Sequence, residues 1–214
     1  IKRYLLRQLA PVPLPITEDT CAMRPTKYDV IVLPVIDWHF RFQRPQQIAS
    51  QFAQNGHRVF YLRTSFVDTE EATVGSWRHN IFDVQLPGHS NLNLYRDQMD
   101  QTTLARSLKA FDKLRSDYHI VEAICLVQLP FWKPVAMSLK ERFGWKIVYD
   151  CMDKHGAFST NDPKMLADEI ELGQKSDMIV ATSKQLYEEW KQHNALTVLI
   201  PNAADFDHFC KAPE

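Results

Sequence analysis

The stretch YDVIVLPVIDWHFRFQRPQQIASQFAQNGHRVFYL, residues 28–62, decides the fold. Its opening, YDVIVLPVI (28–36), is short, apolar and β-branched, as a strand buried on both faces must be. Pro45 then suits a first helical turn, where its missing N–H is not needed, and Gly56 suits the position just past a helix end. Between them Ile48, Ala49, Phe52 and Ala53 recur at helical spacing and make a buried stripe. HRVFYL (57–62) is apolar again and reads as the next strand. A crossover of this length between neighbouring strands makes them parallel.

The same alternation repeats downstream. Leu104, Leu108, Phe111 and Leu114 share one face of a helix expected at about 101–116. VEAICLVQ (121–128) reads as a strand, Pro134 to Phe143 as a helix closed by Gly144, and KIVYD (146–150) as a strand. Asp162 and Pro163 form a cap and first-turn pair for a helix to about Gln174. DMIVAT (177–182) is a strand, Ser183 caps a helix through about His193, and LTVLIPN (196–202) is the last strand. Residues 63–99 are less regular, with short strands expected at IFDVQL (81–86) and NLNLY (91–95). The pattern predicts an α/β fold: a Rossmann-like, doubly wound, mostly parallel sheet with helices on both faces, over residues 27–209. Ahead of it, IKRYLLRQLA is a short basic amphipathic stretch, and PVPLP (11–15) begins an extended connector to residue 26. Residues 210–214 are expected to start a linker to a further domain.

Composition narrows the function classes. The chain has 214 residues, 45% apolar and 24% charged, with 25 basic against 26 acidic side chains. That balance lacks the basic field of nucleic-acid binding proteins, so no nucleic-acid partner is expected. No run reaches the roughly 18–20 apolar residues that a spanning helix needs. Four cysteines lie far apart without a CxxC pair, so a reducing, cytoplasmic setting is expected. The six glycines form neither GxGxxG nor GxxxxGK[ST], which removes the dinucleotide fingerprint and the Walker loop. No HExxH or HxxxH pairing occurs, and Asp205-Phe-Asp207, though a literal DxD, follows the last strand as loop chemistry; no metal site is expected.

Ligands of open parallel sheets bind beyond the carboxyl ends of the strands. There the sequence places Trp38, His39, Arg41 and Arg44 after the first strand and Trp132 after VEAICLVQ. Asp150, Asp153 and His155 follow KIVY, and Ser183 and Asn202 follow the last two strands. Aromatic, cationic, carboxylate and imidazole groups thus converge on one edge, as a polar ligand with flat apolar faces requires. Each has a structural alternative: the aromatics as sheet cover, the arginines as partners of nearby carboxylates, the aspartates as loop caps.

Three segments, residues 31–62, 147–158 and 176–209, resemble the N-terminal domain of GT-B glycosyltransferases of the group 1 and family 4 type. Trp38, Arg41, Gln43, Arg44, Pro45, Gln46 and Gln47 resemble the opening of a bacterial polysaccharide-type branch. Asp177, Thr182, Ser183, Pro201, Asn202, Asp205 and Phe209 match the strand and turn that lead to the second domain of such enzymes. The resemblance implies transfer of a sugar from a nucleotide-sugar donor to the hydroxyl of a sugar or lipid-linked acceptor, in surface polysaccharide or glycan synthesis. It implies no tightly bound cofactor, a C-terminal donor domain missing from this chain, and inactivity of this chain alone. A lipid-linked acceptor implies peripheral contact with the inner membrane surface. Asp150, Asp153 and His155 are the catalytic candidates on the acceptor side; Trp38, His39, Arg41, Arg44, Trp132, Ser183 and Asn202 are the cleft candidates. Two departures blur this assignment: WHFRFQR stands where many members have a glycine-rich loop, and Asp150 stands where many have histidine. An epimerase of related fold is disfavoured because close approach to a pyrophosphate needs the absent glycines. A non-catalytic docking or regulatory domain is the alternative. If Arg44 serves the cleft, Arg44→Ala is expected to damage activity more than stability.

Overall fold

The computed structural model describes residues 27–157 and 163–203, together with Cys210. The amphipathic stretch and connector (1–26), Phe158, Asp162, the triplet Asp205-Phe-Asp207, Phe209 and residues 211–214 lie outside the described residues. In chain order the elements are β1 (Asp29–Leu33), α1 (Arg44–Gln54), β2 (Val59–Leu62), β3 (Thr73–Arg78), β4 (Ile81–Gln85) and α2 (Gln101–Asp117). There follow β5 (Ala123–Val127), α3 (Lys133–Phe143), β6 (Lys146–Cys151), α4 (Pro163–Lys175), β7 (Met178–Ala181), α5 (Lys184–Trp190) and β8 (Thr197–Leu199). Short 3-10 turns stand at Pro130–Trp132 and His155–Ala157.

The strands form one sheet in the order β3-β4-β2-β1-β5-β6-β7-β8. Every pairing is parallel except β3 with β4. The chain winds outward from β1 in one direction, then returns through α2 to pair β5 with the other side of β1. That reversal makes the carboxyl ends of β1 and β5 the switch point of the sheet.

Alternation along each strand builds two cores. Ile31, Leu33, Phe60, Cys125, Ile147, Tyr149 and Ile179 face α2–α5, meeting Phe111, Leu139, Leu172 and Trp190. Val30, Val32, Val59, Tyr61, Leu126, Val148 and Val180 face the side of α1, with Ala49 and Ala53. Both cores are apolar because the inward strand positions are filled almost wholly by apolar side chains, as a sheet covered on both faces requires.

Three sequence expectations change. NLNLY (91–95) is a set of turns, not a strand: the Asn93 side chain accepts from the Tyr95 N–H (3.0 Å), an Asx turn that competes with sheet pairing. Thr73–Arg78, which carried no strand signal, pairs antiparallel with β4 through a hairpin turned at Asn80, whose φ is 62°. The helix after Ser183 ends at Trp190 rather than His193. Asn194 draws the following backbone into a turn, donating to the Gly173 and Ser176 carbonyls and accepting from the Leu196 N–H.

Candidate functional site

The loop after β1 has no glycine, and side-chain hydrogen bonds fix its backbone instead. Five successive carbonyls, from Pro34 to Trp38, each accept a side-chain donor. Trp132 Nε1 bonds Pro34 (2.8 Å), the Tyr95 hydroxyl bonds Val35, and the Tyr61 hydroxyl bonds Ile36 (2.8 Å). Gln46 Nε2 bonds both Asp37 (3.1 Å) and Trp38 (3.2 Å), while its Oε1 accepts from the Gln43 N–H (3.0 Å) to close the capping box of α1. Asp37 adds two bonds from Thr64, at 2.8 and 2.6 Å. The loop is held by side-chain donors from four separate parts of the chain, Trp132, Tyr61 and Gln46 buried and Tyr95 exposed, rather than by small residues.

Trp132 and Trp38 belong to this scaffold. Trp132 is fully buried among the residues facing α2–α5, so it does not line the cleft. The Pro130–Trp132 turn folds it back under β1 to meet the Pro34 carbonyl. Trp38 is 6% exposed and packs edge-on to Tyr61, with ring centres 5.2 Å apart. His39 and Arg41 stand on the exposed part of the loop, Arg41 over the Phe40 ring at 5.4 Å. Phe40 and Phe42 are exposed beside them.

Arg44, at the start of α1, reaches across to the carboxyl ends of β6 and β8. Its Nε lies 3.1 and 3.2 Å from the two carboxylate oxygens of Asp150, and its Nη2 lies 2.8 Å from Oδ1. Its Nη1 donates to the Ile200 carbonyl (3.2 Å) and Asn202 Oδ1 (3.3 Å). The Asp150 side chain is 1% exposed and that of Arg44 11%. A bidentate guanidinium–carboxylate pair with this little solvent is an orienting strut. Gln128, at the end of β5, completes it by donating to Asp150 Oδ2 (3.3 Å), while its own Oε1 is buried without a partner. The sequence reading missed Gln128; its signal was a lone amide closing an otherwise apolar strand run. It missed Gln46 as a structural hub for the same reason, since its role depends on a loop folded back over it.

The remaining candidates divide by exposure. Asp153 is exposed. His155 is buried, and burial holds its imidazole below the usual range, against the opposing charge of Asp153. Lys154 between them pairs with Glu189 of α5 at 2.9 Å. Ser183 is engaged as the cap of α5, its Oγ accepting from the Leu186 N–H (3.2 Å). A groove of about 790 Å³ runs along α1 from this edge, and Arg44, Asp153 and Asn202 line its upper end. The structure therefore brings Arg44, Asp150, Asp153 and Asn202 together. It sets His39 and Arg41 on the neighbouring loop, and it places Trp38, Trp132 and Ser183 in structural contacts. Among the described residues no three His, Cys, Asp or Glu side chains are grouped to hold a metal ion, and no helix is long and apolar enough to cross a membrane.

No family model and no curated protein matches this chain. Among solved structures, sucrose-phosphate synthase from Thermosynechococcus elongatus is similar over 82% of this chain, with a TM-score of 0.56 and 16% identity. The chain covers 48% of that structure, about half its length. A second structure of the same synthase is 93% covered, with 86% of this chain aligned at a TM-score of 0.54 and 15% identity. At such identity the likeness is one of fold: the mostly parallel sheet with helices on both faces matches one half of a GT-B, Rossmann-like architecture.

Proposed function

We propose that this chain is the acceptor-side half of a nucleotide-sugar-dependent glycosyltransferase, of the group 1 and family 4 type in its polysaccharide-synthesising branch. The observation that carries the reading is the gathering of Arg44, Asp153 and Asn202 at one groove, on the strand edge where folds of this class hold ligands. The likeness to half of a synthase that makes a sugar phosphate ester supports the same reading.

Asp153, exposed on the groove wall, is the carboxylate for the acceptor. It takes the proton as the acceptor oxygen bonds to the anomeric carbon and the nucleoside diphosphate leaves with the electron pair of the broken bond. His155, buried and with its imidazole held below the usual range, follows Asp153 on the same loop and is the second candidate there. Asp150 acts through Arg44 and is a positioning residue, not a proton acceptor. Charge on the departing diphosphate falls to cations and helix N-termini of a second Rossmann-like domain. The setting is cytoplasmic, at the inner membrane surface if the acceptor is lipid-linked.

The test joins calorimetry to turnover. The chain is titrated with UDP-glucose and with acceptor sugars, then assayed for transfer alone and together with a donor domain. Acceptor binding without donor turnover by the chain alone is expected. Robust transfer by the chain alone contradicts the division of labour. No saccharide binding, together with no transfer in the two-domain protein, removes the glycosyltransferase reading.

A further inference from the structure

The groove beside α1 has a chemistry of its own. Gln43, Gln47, Gln51 and Asn55 all line it, and each is four residues from the next, so they form one stripe along the helix. Ile48 and Phe52 lie next to that stripe, and Val35, Ile36 and Met152 add apolar wall. A helix of 11 residues is about 16 Å long, so the groove exceeds the length of a single sugar ring.

Charge is nearly absent from these walls. The Arg44 guanidinium is engaged by Asp150, the Ile200 carbonyl and Asn202, which leaves it poorly placed to capture a phosphate or carboxylate. His57 bonds the Tyr28 carbonyl through Nδ1 at 2.8 Å. Asp153 stands at the upper end only, beside Asn202. What remains is a row of amides beside apolar surface. Gln43 accepts from the helix backbone as its cap, Gln51 donates to Gln54 Oε1 (3.2 Å) and Asn55 donates to the Gln51 carbonyl (2.6 Å). An amide that spends one hydrogen bond in this way still has others to give. Hydroxyl groups likewise donate and accept, and the carbon–hydrogen faces of a sugar ring suit a wall of Ile48 and Phe52.

We infer that this groove seats a neutral oligosaccharide lying along α1, its reacting end at Asp153 and its further sugars on the amide stripe. The inference rests on the proposed function and deepens it by naming the acceptor class: an uncharged glycan of several units, in place of a monosaccharide phosphate.

The experiment is titration of the chain, followed by NMR and calorimetry, with the maltose and cellulose oligosaccharide series from one to six units and with glucose 6-phosphate. Affinity in at least one neutral series is expected to rise tenfold or more between one unit and four, with little dependence on salt. Gln47→Leu and Gln51→Leu are expected to weaken the longest ligand fivefold or more while leaving Tm and monosaccharide binding unchanged. Flat length dependence, absence of binding in both series, tighter binding of glucose 6-phosphate, or full binding by both variants overturns the inference. Transfer in the two-domain protein to acceptors of every length, long ones included, unaffected by these variants, sinks the groove and spares the glycosyltransferase reading. Length-dependent binding without any transfer does the reverse.

Discussion

Arg44 and Asp150, 106 residues apart in sequence, meet as a buried fork that joins the start of α1 to the end of β6. The same guanidinium reaches the backbone after β8. One side chain therefore ties together three elements that the chain visits far apart.

This geometry favours the structural alternative for Arg44, in which its loss lowers stability as well as activity. Removing one member of a buried pair strands the other charge, at a cost of about 3–5 kcal/mol, or about 10 °C in a domain of this size. Arg44→Ala and Asp150→Ala should each lower Tm by about that amount in a thermal melt. Arg44→Met with Asp150→Leu should recover most of the loss, because no charge is left behind. A single alanine variant with native Tm and impaired binding would return Arg44 to the ligand.

Trp132 should behave as a core residue. Trp132→Phe removes the bond to the Pro34 carbonyl and leaves a void under the loop, at a cost of about 2–3 kcal/mol. Circular dichroism should show the melting point falling with saccharide affinity little altered. The opposite pattern, affinity lost at constant Tm, means that the indole touches the ligand.

Glu169 supplies a pH signature. It is buried and accepts from the Tyr149 hydroxyl at 2.7 Å. Burial pushes its carboxyl up to about 7, with the Tyr149 hydroxyl opposing, Glu189 reinforcing and Lys154 opposing. The folded state thus holds a proton that the unfolded chain releases near pH 4.3, so stability drains away as pH rises from there to about 7 and stays reduced above it. Glu169→Gln keeps an acceptor for Tyr149 and removes that loss. Its Tm advantage should be near zero at pH 4 and grow through pH 7, approaching an effect on the order of 3 kcal/mol. His155 pulls wild type and variant alike toward lower stability on acidification, because its folded value is depressed, so the difference between them isolates Glu169. An advantage independent of pH defeats this account.

Gly173 of α4 sits directly beneath the Trp190 ring. A Cβ there would lie 2.2 Å from Cζ3 and 2.8 Å from Cε3. The ring cannot yield freely, since its Nε1 bonds Cys151 Sγ (3.1 Å) and its face meets Tyr149 edge-on. Gly173→Ala should cost about 1–3 kcal/mol by overpacking. Gly156→Ala, whose Cβ meets only Leu166 at 3.9 Å, is the matched control and should leave the denaturant midpoint unchanged.

The alternation of apolar runs with helical stripes was legible because burial on both sheet faces leaves little freedom in residue type, and α1 and its Gly56 terminus follow it closely. β3 was not, since in this edge strand Thr73, Gly75, Ser76 and Arg78 are exposed and Val74 alone among its described side chains packs on the core, too little to impose a pattern. Within the site, the sequence placed Arg44, Asp150, Asp153 and Asn202 on one edge from strand ends alone. It could not show that Arg44 and Asp150 engage each other, because that depends on how far β6 lies from α1 in space. Trp132 misled because an aromatic after a strand looks the same whether its turn projects outward or folds inward; the 3-10 turn at Pro130 decides it.

The two margins of the sheet are both poor templates for another chain. β8 offers three residues, and β3 shifts register between Ser76 and Arg78. A truncated ladder on one side and a kinked one on the other deny an incoming strand the long, flat row of amides on which fibrils grow. Concentrated solutions of this protein should resist stacking into amyloid even though its central strands are rich in Val, Ile and Leu.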